Sequence, residues 1–169
     1  MTGDPRLRVP LVLLTALLLQ TTVLERFQIL GVMPDFMLLV AIAAGITGGP
    51  ARGAVIGFTT GMLFDLFLRT PLGLAALVFT LTGYAVGVTH AGVLRSAWYI
   101  PMLTSGAASV AGVLLWGGVE MVLGEPVRPL RLATIAAVVG VTNAVLAPVA
   151  VRLVRWSIAG DGDRVPIAQ

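Results

Sequence analysis

The chain has 169 residues, of which 57% are hydrophobic and only 11% are charged, and its net charge is +3. Because a soluble domain has about 25% charged residues, this composition excludes a soluble globular protein and indicates an integral membrane protein. The chain has no cysteine and one histidine, which excludes disulfides, thiolate metal sites and histidine-rich metal sites. All basic residues are arginines at the ends of apolar runs, a pattern of membrane orientation rather than of nucleic-acid binding.

Six apolar segments each read as a membrane-spanning helix, which predicts an all-α, polytopic membrane bundle. In chain order, the predicted spans cover residues 9–24, 34–47, 54–68, 72–89, 98–123 and 132–154. The loops between them are short, so we expect a single integral membrane domain over residues 1–169. Residues 160–169 are polar, and we expect them to form a mobile cytoplasmic tail.

The second segment stops at Gly48-Gly49-Pro50, where a straight helix does not continue easily. The alternative is a tilted or re-entrant segment. Six spans place seven arginines inside against four outside, whereas re-entry places five inside and six outside. The positive-inside rule therefore favours six spans with both termini cytoplasmic. The seven inner arginines are Arg6, Arg8, Arg52, Arg95, Arg152, Arg155 and Arg164.

One helical face carries a small or charged residue at every fourth position. Its members are Gly53, Gly57, Gly61, Asp65 and Arg69. Because residues four apart share a helix face, the three glycines form a flat strip, the glycine strip, that another backbone can approach closely. Gly83 and Gly87 repeat the spacing in the fourth span. Two readings are open for these glycines: packing inside the bundle, or binding of a partner helix or lipid.

Four charged residues fall near the predicted outer ends of the third and fifth spans and in the loops that follow. These residues, the polar cluster, are Asp65, Arg69, Glu120 and Arg128. Charges within a membrane segment are costly and mark functional sites by default, so we expect this end to carry function. The alternative is that each group faces water independently at the interface. The buried amide of Asn143, in the last span, requires a partner on another helix.

The sequence gives no sign of catalysis. It has no nucleophile motif, and its glycine-rich stretch GITGGPARG lacks the GK[ST] ending of a phosphate-binding loop. The prediction is a non-enzymatic protein that needs no cofactor and no metal.

The middle third of the chain, residues 34 to 87, resembles the MreD family of rod shape-determining membrane proteins. The matching features are Pro34-Asp35 at the start of the second span, the glycine strip, Asp65, the Leu72-Gly73 turn, and Gly83-Tyr84 followed by Gly87. The resemblance implies a scaffold subunit of the cell-elongation machinery in the bacterial inner membrane. It also implies MreC, a single-span protein with a large extracytoplasmic domain, as the direct partner. The MreB cytoskeleton, the RodA glycosyltransferase and a class B penicillin-binding transpeptidase are the indirect partners that it implies.

The fold of that family is similar to the vitamin-binding S component of energy-coupling factor transporters. This similarity leaves a second reading open, a subunit that takes up a small molecule. Only 7% of the residues are aromatic and the loops are short for a lid, which favours the scaffold reading. On that reading, small-residue packing holds together the bundle or binds the partner's helix, and the glycines involved are Gly53, Gly57, Gly61, Gly73, Gly83 and Gly87. The polar cluster then contacts the partner at the membrane surface.

Overall fold

The structure is a computed structural model and describes residues 5–18, 20, 31–67, 72–91 and 99–158. These residues form five α-helices and confirm the predicted all-α class. The helices are α1 (Pro5–Leu18), α2 (Phe36–Phe67), α3 (Leu74–Ala91), α4 (Ile100–Val122) and α5 (Pro129–Ile158). The predicted tail at 160–169 and the end of the first predicted span, residues 21–24, lie outside the described residues.

Three of the helices are long and apolar enough to cross a membrane, namely α2, α4 and α5. The apolar parts of α1 and α3 are shorter, at Val9–Leu18 and Leu74–His90. Proline stands at the start of α4 and of α5, where the missing N–H leaves no hydrogen bond unmade. These lengths and compositions support a helical membrane bundle.

The predicted segments at 34–47 and 54–68 both lie on α2, which is helical from Phe36 to Phe67 with one interruption at Gly49. Gly49 has φ 77° and ψ −175°, a conformation that only glycine adopts easily. A Cβ on Gly53 would lie 2.9 Å from the Cα of Gly45, although eight residues of straight helix would separate them by about 12 Å. The chain therefore folds back at Gly49 into two halves, α2a (36–48) and α2b (50–67).

The first half, α2a, is the centre of the bundle. Ten consecutive residues, 37–46, are buried, so that every face of this helix is covered by protein. At about 1.5 Å per residue, residues 36–48 extend about 20 Å, which is too short to cross a hydrocarbon core of about 30 Å alone. The described residues thus do not show six full spans.

Two pairs of neighbouring helices run in opposite directions. Facing residues run in opposite order along α2b and α3, and again along α4 and α5, so both pairs are antiparallel. The pairs are Gly57 with Phe79, Gly61 with Ala76, Gly106 with Ala144 and Gly117 with Leu132. We call the end that carries residues 65–67, 72–74 and 120–130 the Asp65 end, and the end that carries residues 48–50 and 99–101 the Pro50 end.

Candidate functional site

A cavity of about 310 Å³ lies between the centre of the bundle and the Asp65 end. Most of its wall is apolar, and Leu38, Phe79 and Leu132 are among the side chains that line it. The polar exceptions are Gln20, Asp35, Trp116 and Glu120. An apolar enclosure with a few polar groups at defined places is the usual form of a binding site.

The deep end of the cavity is built around the start of α2. Asp35 caps this helix, because its Oδ1 accepts the backbone N–H of Leu38 at 3.0 Å. Gln20 fixes the chain just before the helix: its Nε2 donates to the carbonyl of Pro34 at 3.1 Å, and its Oε1 accepts the N–H of Phe36 at 2.9 Å. The two polar side chains therefore have structural partners as well as cavity-facing positions.

Asn143 connects the start of α2 to α4 in the middle of the bundle. Its Nδ2 donates to the carbonyl of Asp35 at 3.2 Å and to Ser109 Oγ at 2.9 Å. The side chain is fully buried in α5, which confirms the expectation that its amide bonds to other helices. Asn143 lies near the middle of α5 and Ser109 near the middle of α4, so α2a begins inside the bundle rather than at its surface.

An aromatic wall continues from the cavity toward the Asp65 end. The ring of Phe64 packs edge-on against Phe79 with centroids 5.5 Å apart, and against Trp116 with centroids 6.1 Å apart. The indole Nε1 of Trp116 donates to Glu120 Oε1 at 2.8 Å. Glu120 is thus oriented by a neighbour one turn away on the same helix.

Asp65 is bound to the beginning of α3. Its carboxylate is 4% exposed and accepts the N–H of Gly73 at 2.9 Å, of Ala75 at 3.2 Å and of Ala76 at 3.2 Å. An anion at this position is favoured by the helix dipole and satisfies N–H groups that have no partner within the helix. Gly73 supports the turn with φ +96°. Asp65 lines neither the cavity nor the cleft described next.

Two members of the polar cluster do share a surface. Glu120 and Arg128 line a cleft of about 320 Å³ together with Arg131, which we call the charged cleft. Arg69 lies outside the described residues. The structure therefore brings together Glu120 and Arg128, and attaches Asp65 to α3 instead.

The glycine strip lies against α3. A Cβ on Gly57 would come within 2.7 Å of the carbonyl carbon of Phe79, and one on Gly61 within 2.5 Å of the carbonyl oxygen of Ala75. Contacts under 3.0 Å with backbone atoms leave no room for a side chain. The surface of these glycines is thus occupied by the chain's own third helix.

Four glycines form a junction where α2a, α2b and α3 meet, namely Gly45, Gly53, Gly83 and Gly87. A Cβ on Gly45 would lie 3.1 Å from the N of Gly87, and one on Gly83 would lie 2.9 Å from the carbonyl carbon of Gly53. Sequence reasoning overlooked Gly45, although Gly45 and Gly49 continue the spacing of four residues backwards from Gly53. It also overlooked Gln20 and Ser109, for which no local pattern exists.

A family model described as the rod shape-determining protein MreD matches residues 6–127, which is more than half of the 169 residues. The match confirms the resemblance that residues 34 to 87 carry. No curated protein matches the chain, and no solved structure matches it.

Proposed function

Because the chain belongs to the MreD family of rod shape-determining membrane proteins, we propose that it is a non-enzymatic scaffold subunit of the bacterial cell-elongation complex. A role in rod shape determination and an association with the rod-shape complex follow from the family. The further proposal is that the chain binds an MreC-like single-span protein and through it helps to regulate peptidoglycan synthesis. MreB, RodA and a class B penicillin-binding transpeptidase are its indirect partners.

The observation that supports partner binding is the charged cleft. Glu120, Arg128 and Arg131 line one concave surface at the Asp65 end of the bundle. Such groups contribute to orientation and partner choice when they meet complementary charges. We place this end outside the cytoplasm and both termini inside, in agreement with the distribution of arginines. The comparisons give no support to the vitamin-uptake alternative.

Charge reversal in the cleft tests the proposal. The chain and its MreC-like partner are co-expressed, extracted in detergent and purified through a tag on the chain. Arg128→Glu combined with Arg131→Glu is expected to reduce the recovered partner roughly tenfold. The two glutamates would repel the partner groups that the two arginines attract. The matched control is Arg152→Glu, an exposed arginine near the Pro50 end, which should recover the partner as the unmodified chain does. Equal recovery by both variants contradicts the proposed contact.

A further inference from the structure

Two buried polar atoms inside the bundle have no hydrogen-bond partner among the described residues. They are the hydroxyl oxygen of Ser105 on α4 and the amide oxygen Oδ1 of Asn143 on α5. Both side chains are fully buried, at 0% exposure. An unpartnered polar group in an apolar interior is costly, and buried polar groups in native proteins are bonded to protein or to ordered water. These two atoms therefore indicate a small polar ligand.

The other buried hydroxyl groups that the structure describes each have a protein partner. Thr60, Thr82 and Ser157 donate to carbonyls three or four residues earlier in their own helices. Ser109 accepts a hydrogen bond from the amide of Asn143. The hydroxyl of Ser105 is the exception, because neither its own helix nor a neighbouring one satisfies it.

Ser105 lies one helical turn from the hydrogen bond between Ser109 and Asn143. The two serines are four residues apart and are both buried, so they share one face of α4. Asn143 Nδ2 meets Ser109 Oγ at 2.9 Å, which places the amide about one turn of 5.4 Å from the level of Ser105. A water molecule with two hydrogen bonds of about 2.8 Å joins oxygens up to about 5.5 Å apart. One water can therefore bridge Ser105 and Asn143.

Pro148 provides a third polar group at the same contact between α4 and α5. Proline has no N–H, so the carbonyl of Ala144 lacks the donor that residue 148 of a regular helix supplies. Ala144 follows Asn143 in the chain and faces α4, since a Cβ on Gly106 would lie 3.2 Å from the Cβ of Ala144. The backbone of α5 thus adds an acceptor next to the two unpartnered side-chain atoms.

We propose that a single water molecule binds between α4 and α5 at this point. The water accepts a hydrogen bond from the hydroxyl of Ser105 and donates to Asn143 Oδ1 and to the carbonyl of Ala144. Three hydrogen bonds are usual for a buried water. The site extends the polar contact in which Asn143 binds the carbonyl of Asp35, so the water helps to join α2a, α4 and α5. It is separate from the cavity and the charged cleft and does not depend on the scaffold function.

The stability of Ser105→Ala distinguishes a hydrated hydroxyl from an isolated one. Loss of a hydroxyl that bonds to a bound water should lower the Tm in detergent by about 3 °C. Removal of an isolated buried hydroxyl would instead raise the Tm, because its desolvation cost disappears with it. A Tm equal to or above that of the unmodified chain overturns the proposal.

The matched control is Ser157→Ala. Ser157 is also buried, but its hydroxyl donates to the carbonyl of Val154 within α5 at 2.7 Å and needs no water. Because such bonds within a helix contribute little to stability, we expect almost no change in Tm. A fall for Ser105→Ala that is no larger than the fall for Ser157→Ala also overturns the water site.

Pro148→Ala tests the bond to the backbone, because it returns to α5 an N–H that binds the carbonyl of Ala144. The water then has one acceptor fewer. In that background we expect Ser105→Ala to lower the Tm by about half as much as in the unmodified chain. Equal falls in the two backgrounds overturn the bond between the water and Ala144.

A structure of the purified chain at a resolution that shows ordered waters locates the ligand directly. We expect one water within about 3 Å of both Ser105 Oγ and Asn143 Oδ1. A direct hydrogen bond between these two side chains, or no density between them, overturns the proposal. Density with six or more oxygen neighbours at about 2.4 Å identifies a metal cation and overturns it as well.

Discussion

Asp65 is an example of a buried charge that is stabilised by backbone groups of the same chain. Three N–H donors, from Gly73 and the first turn of α3, surround its carboxylate at 2.9–3.2 Å. Charge-assisted hydrogen bonds of this kind are stronger than neutral ones. The primary effect of Asp65 is to fix α3 against α2b at the Asp65 end.

Substitution of Asp65 should therefore change stability in a graded way. Asp65→Ala leaves three N–H groups without this acceptor and is expected to cost about 3 kcal/mol of unfolding free energy. Asp65→Asn keeps one carbonyl oxygen and should cost less. The measurement is the Tm in detergent, followed through tryptophan fluorescence, with the exposed Glu125→Ala as control. Equal Tm values for Asp65→Ala and Glu125→Ala would show that the cap does not stabilise the fold.

The pair of Asn143 and Ser109 provides a second prediction for single residues. Their hydrogen bond of 2.9 Å joins the middle of α5 to the middle of α4. A double-mutant cycle with Asn143→Ala and Ser109→Ala is expected to give a coupling energy of about 1 kcal/mol, as for other polar contacts inside membrane proteins. Strictly additive effects on unfolding in detergent would mean that the contact contributes nothing.

Among the elements, the pair of α2b and α3 is the most closely packed, because glycine takes the place of side chains along the contact. Gly57 and Gly61 meet the backbone of α3 directly. Close backbone approach increases van der Waals contact, which is the main source of helix association in lipid.

A matched pair of glycine substitutions tests this packing. Gly57→Ala places a Cβ 2.7 Å from the carbonyl carbon of Phe79 and should destabilise the bundle by about 2 kcal/mol through overpacking. Gly118→Ala adds the same methyl group where nothing lies within 4 Å, and should be neutral or stabilising by up to about 1 kcal/mol because alanine favours helix. The measurement is the Tm of each variant in the same detergent. A larger loss for Gly118→Ala contradicts the packing shown by the structure.

Hydropathy predicts α3, α4 and α5 to within a few residues, because the length of an apolar run sets the length of a helix. It fails for α2. Residues 37–46 are as apolar as a lipid-facing span, and apolarity alone does not distinguish protein neighbours from lipid. The break at Gly48-Gly49-Pro50 is visible in the sequence, but the reversal within the single residue Gly49 depends on its φ and on contacts with Gly83 and Gly87.

For the whole molecule, the structure separates residues that stabilise the bundle from residues that are available to a partner. The glycine strip and Asp65 are used inside the chain. The charged cleft is a surface that the described helices leave open at the Asp65 end.

The sequence identified the polar residues within the membrane segments, but it did not show which of them contact each other. Asp65 and Glu120 both lie near the Asp65 end of the bundle, yet Asp65 bonds to α3, whereas Glu120 bonds to Trp116. Such pairings depend on how helices rotate against one another. Spacing along one helix carries no information about that rotation.

The most direct test of the scaffold function is whether the chain forms a defined complex with its MreC-like partner. Both proteins are co-expressed, purified in detergent through a tag on this chain, and measured by native mass spectrometry. We predict a complex of fixed stoichiometry that contains the 17.6 kDa chain and the partner. Recovery of the chain alone, from membranes that contain the intact partner, would contradict the account.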